Sequence, residues 1–221
     1  MKKLPFLNFI FCSFFSFSQN PLVKQWDHIY GGTDLEVVTS FMQTKDNGYL
    51  IGGYSKSVTS GDKTQDTWGD WDFWIVKTDA LGVKQWDKDF GGTIVDQVFS
   101  FQHTSDGGYI IGGRSNSDIS GDKSQSLWGN TFMDYWILKI DSLGNKQWDK
   151  DFGGMGEDYL CSVQQTSDGG YLAGGFSNSG ISGDKTQGIW GASADFDYWI
   201  VKTDAAGNKL WDKDFGGTDP D

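Results

Sequence analysis

Trp26, Trp86, Trp148 and Trp211 lie in four near-copies of one phrase, KQWDHIYGG, KQWDKDFGG twice and KLWDKDFGG, at steps of 60, 62 and 63 residues. A repeat of this period constrains the fold more than any other feature of the chain. A single unit of this kind cannot bury its apolar face alone, so neighbouring units must stack into a propeller, a solenoid or a related array.

Between the tryptophans the copies carry the same phrases in the same order. In the middle copy these are FGGTIVDQVFSFQHTSDGGYIIGGRSNS, then SGDKSQSLWG, then DYWILKIDSLGNKQWD. Each reads as strand or turn. SDGGY at Ser105 and Ser167, with KDNGY at Lys45, sets Asp or Asn and Gly between two β-rich runs, the signal of a tight hairpin. DALG at Asp79, DSLG at Asp141 and DAAG at Asp204 do the same: the Asp carboxylate caps the turn and Gly supplies its left-handed residue. Four strands per unit follow, at 36–44, 48–55, 72–79 and 83–90 in the first full copy, joined as a meander from an inner to an outer strand.

The third strand (DFWIVKTD, DYWILKID, DYWIVKTD) is a near-continuous apolar run, expected to be covered on both faces. The outer strand alternates, and the alternation predicts Lys84, Trp86, Lys88 and Phe90 on the packed side with Gln85, Asp87 and Asp89 in water. Acids on the free side would also discourage edge pairing. The glycine pairs Gly52-Gly53, Gly112-Gly113 and Gly174-Gly175 suit close backbone approach rather than strand propensity. Trp74, Trp136 and Trp199 are expected to fill the contacts between units.

The expected fold is therefore all-β and β-propeller-like, with three four-stranded antiparallel blades at about 34–92, 94–154 and 156–217. An extra N-terminal outer strand at 22–32 makes it an incomplete propeller. A β-solenoid is the second choice, since solenoid coils are usually shorter and need no doubly covered strand. Three blades fall below the usual minimum of about four for a closed disc, so the missing blades are expected from a longer product or from a second copy of the chain.

The first stretch, MKKLPFLNFIFCSFFSFSQN, has two lysines, an apolar run too short to span a bilayer, and small residues at peptidase spacing. It predicts a secretion signal at 1–18, a mature propeller domain at 19–221, and a secreted or cell-surface location without stable membrane insertion. Cleavage removes Cys12 and leaves Cys161 alone, so no intramolecular disulfide holds the domain. The net charge of -12 argues against nucleic acid and anionic membrane as partners.

QQTSDGGYLAGG at Gln164, DYWIVKTDAAGNKLWDKDFGG at Asp197 and the recurrent SGDK resemble the tandem repeats of secreted bacterial β-propeller proteins, many of which carry a C-terminal type IX secretion sorting domain. The likeness covers essentially residues 22 to 219. It implies a fold and a compartment more than a reaction, and no sorting domain follows the repeats here.

The loops between second and third strands are expected on the same face of the disc as the GGT links. Two acid columns recur there, Asp62, Asp122 and Asp184, and Asp72, Asp134 and Asp197. Read functionally they are calcium ligands, since calcium takes six to eight oxygens. Read architecturally they cap turns, which is favoured because the dense acid run of a dedicated calcium loop is missing. Trp68, Trp128, Trp190 and the unrepeated Trp71 could stack sugar rings, but a Trp repeated in every blade more often packs.

Enzyme signals are weak. His28 and His103 belong to no repeated set and read as surface or strand-face residues, while Cys161 reads as a small buried hydrophobe. The function expected is a non-enzymatic binding or surface-display module, with glycan or protein as ligand. A carbohydrate-binding module or a glycoside hydrolase on the same scaffold is the alternative.

Overall fold

The computed structural model describes residues 24–129, 131–191 and 195–217. The secretion signal read at 1–18, with Cys12, lies outside them. Every regular element described is a strand, and the twelve strands form three separate antiparallel sheets. The first holds β1 (Glu36–Gln43), β2 (Tyr49–Ser55), β3 (Asp72–Thr78) and β4 (Lys84–Phe90); the second β5 (Asp96–His103), β6 (Tyr109–Ser115), β7 (Asp134–Ile140) and β8 (Lys146–Phe152). The third holds β9 (Asp158–Gln165), β10 (Tyr171–Ser177), β11 (Asp197–Thr203) and β12 (Lys209–Phe215). Each strand pairs with its chain neighbours, and the inner strands stand side by side, β1 near β5 and β5 near β9. This is the propeller-like, incomplete all-β architecture expected from the repeat.

The turns form as their chemistry dictates. Asn47, Gly107 and Gly169 take positive φ in the first hairpin of each blade, and Gly82, Gly144 and Gly207 in the last. The Asp79 carboxylate accepts from the N–H groups of Leu81 at 2.8 Å and Val83 at 2.9 Å. Between them runs the doubly covered third strand, with every residue of β3 and β7 buried. It includes a lysine, Lys77, whose ammonium reaches Asp46 at 2.8 Å in the hairpin turn, as Lys139 reaches Asp106 at 2.9 Å.

Blades join through aromatic pairs. The Phe73 ring lies 4.7 Å from Trp136 of the next blade, and Tyr135 lies 4.8 Å from Trp199. The second-strand glycines make this fit: a Cβ on Gly113 would meet Gln97 O at 2.1 Å and the Phe73 ring at 2.6 Å. A bulge in each inner strand faces these glycines, at Val38/Ser40, Val98/Ser100 and opposite Gly174/Gly175.

Three expectations need correction. Asp87 and Asp89 do not meet water; both are buried, as are Asp149 and Asp151, because the long loop between second and third strands folds back over that side of the outer strand. Cys161 is exposed rather than buried, since the bulge takes it out of the strand's alternation. The segment at 24–32 is not a ladder strand. It lies against the last turn of the first blade, with Trp26 Nε1 donating to Ala80 O at 3.2 Å and the Tyr30 hydroxyl to Gly82 O.

Candidate functional site

The long loops and the GGT links share one face, as expected. The Thr93 N–H donates to Ser120 Oγ at 3.0 Å and the Ile94 N–H to Ser117 Oγ at 3.0 Å, with Met155 and Gly156 bonded likewise to Ser182 and Ser179. On this face the candidate tryptophans and acids of adjacent blades meet. The Trp68 indole N–H donates to Asp122 Oδ2 at 3.1 Å, and the Trp128 indole to Asp184 Oδ2 at 2.9 Å. Each indole also leans on a glycine of the next loop, Trp68 on Gly121 and Trp128 on Gly183. These tryptophans are thus clasps between blades whose outer sides remain exposed.

The first acid column completes the clasp from below. Asp122 N–H donates to Gly91 O at 2.8 Å, as Asp62 does to Gly31 O and Asp184 to Gly153 O, and Asp62 Oδ2 accepts from Gly31 N at 3.2 Å. Burial pushes the Asp122 and Asp184 carboxyls up, against the pull of these donors. Trp190 is exposed, with its backbone N–H bonded to Asp197 Oδ2 at 2.6 Å. Trp71 stands apart, edge-on to Tyr54 at 5.0 Å with the Lys56 ammonium 4.8 Å over its ring.

The second acid column lies deeper. Asp72 and Asp134 are fully buried, and each accepts the backbone N–H of its blade's loop tryptophan, Trp68 or Trp128. Beside them sit residues the alternation had placed in water. Asp89 pairs with the buried Lys63 at 2.5 Å, Asp151 pairs with Lys123, and Asp214 pairs with Lys185 at 2.6 Å. The Asp72 and Asp89 carboxyls act on each other's titration, as do those of Asp134 and Asp151. Burial first, then the neighbouring carboxylate, raises Asp89 and Asp134. Among the described residues no three His, Cys, Asp or Glu side chains gather as ligands for a metal ion.

Between the first two blades the clasp walls a groove of about 550 Å³ lined by Gln65, Trp68, Lys88, Asp122, Asn145 and Lys146 among others. Its counterpart of about 330 Å³ between the next two is lined by Gln125, Leu127, Trp128 and Asp184. His28 and His103 line neither groove: His28 lies near Tyr30 and Leu81, and His103 against Tyr109. Burial raises the Cys161 thiol, the opposite of an activated nucleophile. No protein-family model matches the chain, and no curated protein matches it significantly.

Proposed function

We propose that this chain is an exported, non-enzymatic propeller-repeat protein that acts as a binding or surface-display module, of the kind whose repeats its phrases resemble. One observation carries the reading: the buried charges recur blade by blade and are spent on one another. Lys63, Asp89 and Asp72 have their counterparts in Lys123, Asp151 and Asp134. A reaction needs a singular arrangement, which repetition by itself does not supply. A screen of glycosidase and peptidase substrates is expected to give no turnover. Saturable turnover abolished by one carboxylate substitution would overturn the reading.

Carbohydrate binding without cleavage is the second reading, favoured by the repeated grooves with a half-exposed indole and amide and carboxylate neighbours. Here a glycan array is expected to give signals that Trp68→Phe and Trp128→Phe weaken while leaving the melting temperature within a few degrees. Structural calcium is a separate proposal resting on the acid columns alone. Since Asp72, Asp122, Asp134 and Asp184 each already give their Oδ2 to a donor within the fold, a chelator is expected to leave the melting temperature unchanged, and a drop would establish the ion.

A further inference from the structure

The two end blades carry the unmatched halves of the joint that the interior blades make twice. On the leading side of the first blade Val38 is 65% exposed, while its counterparts Val98 and Leu160 are 0% and 1% exposed beneath the preceding blade. On the trailing side of the third blade Tyr198 is 58% exposed, while Phe73 and Tyr135 are 0% exposed against the next blade's Trp136 and Trp199. Trp74 is the matching tryptophan of the first blade. It lines a mainly apolar cavity of about 370 Å³ with Gly53, Val38 and Ile51, in the place where the interior joints seat the preceding Phe73 or Tyr135. The polar clasp is divided in the same way. Trp190 offers an indole like those of Trp68 and Trp128, and Asp62 offers a carboxylate like those of Asp122 and Asp184.

The segment at 24–30 bears on this joint. Trp26 and His28 lie against Gly82 as Trp86 and Lys88 lie against Gly144, and as Trp148 and Lys150 lie against Gly207. It therefore occupies the notch of a preceding blade's outer strand. It could not replace β12 as that strand. Asp27 matches Asp212, but Ile29 stands where Asp214 pairs with the buried Lys185 at 2.6 Å, so the exchange would leave a buried ammonium without its carboxylate.

We propose that two copies of this chain associate head to tail, the trailing face of each third blade docking on the leading face of the other copy's first blade, and that residues 24–30 must yield their notch to the incoming β12. The joint is heterologous, and made twice it closes a ring. With the three blades of the described residues in each copy, two copies give six blades, inside the range of about four to eight in closed propellers, whereas three copies give nine. Tyr198 then fills the cavity over Trp74, and Trp190 clasps Asp62.

The test is the mass of the full chain in solution against concentration, by sedimentation or light scattering. The expected result is a reversible dimer. Val38→Glu spoils only the leading face and Tyr198→Arg only the trailing face, both at exposed positions, so each variant is expected to be monomeric and to melt where the dilute, monomeric wild type melts. Mixed one to one at high concentration they regain dimers, because one intact joint remains between unlike copies. A joint between like faces would not recover on mixing. Trp26→Ala with Tyr30→Ala, which frees the notch, is expected to tighten association about tenfold. A wild-type monomer at every concentration, as when residues 1–23 cover the faces, overturns the proposal. So does a dimer indifferent to both substitutions, or a mixture that stays monomeric. Weaker association after freeing the notch overturns the role given to residues 24–30.

Discussion

The indole N–H of Trp68 meets the carboxylate of Asp122 at 3.1 Å across the boundary between two blades, and Trp128 repeats the contact with Asp184 at 2.9 Å. A hydrogen bond to a charged acceptor at a half-exposed site contributes about 1 kcal/mol net. A double-mutant cycle of Trp68→Phe with Asp122→Asn in urea unfolding is expected to return a coupling of about that size. Trp190→Phe, compared in the monomeric Val38→Glu background where Trp190 has no next blade, is expected to cost much less. Equal costs at the two tryptophans would refute the clasp.

The buried lysines set a second expectation. Removing one partner of a buried ion pair costs about 3–5 kcal/mol, because the other charge stays behind. Lys123→Met leaves the Asp134 and Asp151 pair with no buried cation and should destabilise by that amount. Adding Asp151→Asn removes the carboxylate that Lys123 paired with and should recover most of the loss. If the double variant is no better than the single one, Lys123 acts through packing instead.

Gly113→Ala would drive a methyl group to 2.1 Å from Gln97 O and 2.6 Å from the Phe73 ring, a collision with backbone on one side and the neighbouring blade on the other. A loss of about 3 kcal/mol or failure to fold is expected. Gly180→Ala, with no atom within 4 Å of the new carbon, is the control and should change little. Thermal melts of the two variants decide it.

Stability should be greatest near pH 4 to 5. Burial raises Asp96 and Asp158 to about 6, so the folded chain holds these protons more tightly than the unfolded chain. Their contribution is full below about pH 4, the ordinary carboxyl value, and is lost as pH rises through 6. Asp46 is held down at about 2 by Lys77, and Asp168 at about 2 by the Thr166 hydroxyl and Lys202. Those contributions are full above about pH 4 and disappear as pH falls through 2. The melting temperature measured from pH 2 to 7 should peak between these limits. Asp96→Asn with Asp158→Asn should make the alkaline side shallower without removing its slope, since burial also raises Asp89, Asp134 and Asp151, and an unchanged slope would exclude these two residues as a source.

What the sequence revealed was local. Turn chemistry at Asp79 and Gly82 acts over four residues, and the run DFWIVKT needs both faces covered wherever it sits, so hairpins and third strands were legible. The joints at Trp136 and Trp199 were legible because a large apolar side chain repeated at one position has to pack. The interior acids were not. Alternation along β4 puts Asp87 and Asp89 opposite Trp86, and only the return of a loop more than twenty residues upstream covers them, as when the Thr64 N–H donates to Asp87 Oδ2 at 2.9 Å. One clue was present: Lys63 and Asp89 recur together in every blade, as a buried pair requires. Cys161 was misread because a bulge shifts the alternation without leaving a mark of its own. On the loop face the acid that meets each indole belongs to the following blade, a pairing that spacing within one loop does not reveal.

Every ladder among the described residues joins strands that are consecutive in sequence. Closing such pairs needs only short excursions, so ordering can begin while the remainder is still being synthesised. The first blade is complete in sequence once Phe90 has emerged, and the aromatic face it presents is the template on which the second can settle. Assembly then runs vectorially, each newly emerged unit annealing onto the last. The blade most exposed to misassembly at any moment is the newest one, whose trailing face still awaits its neighbour.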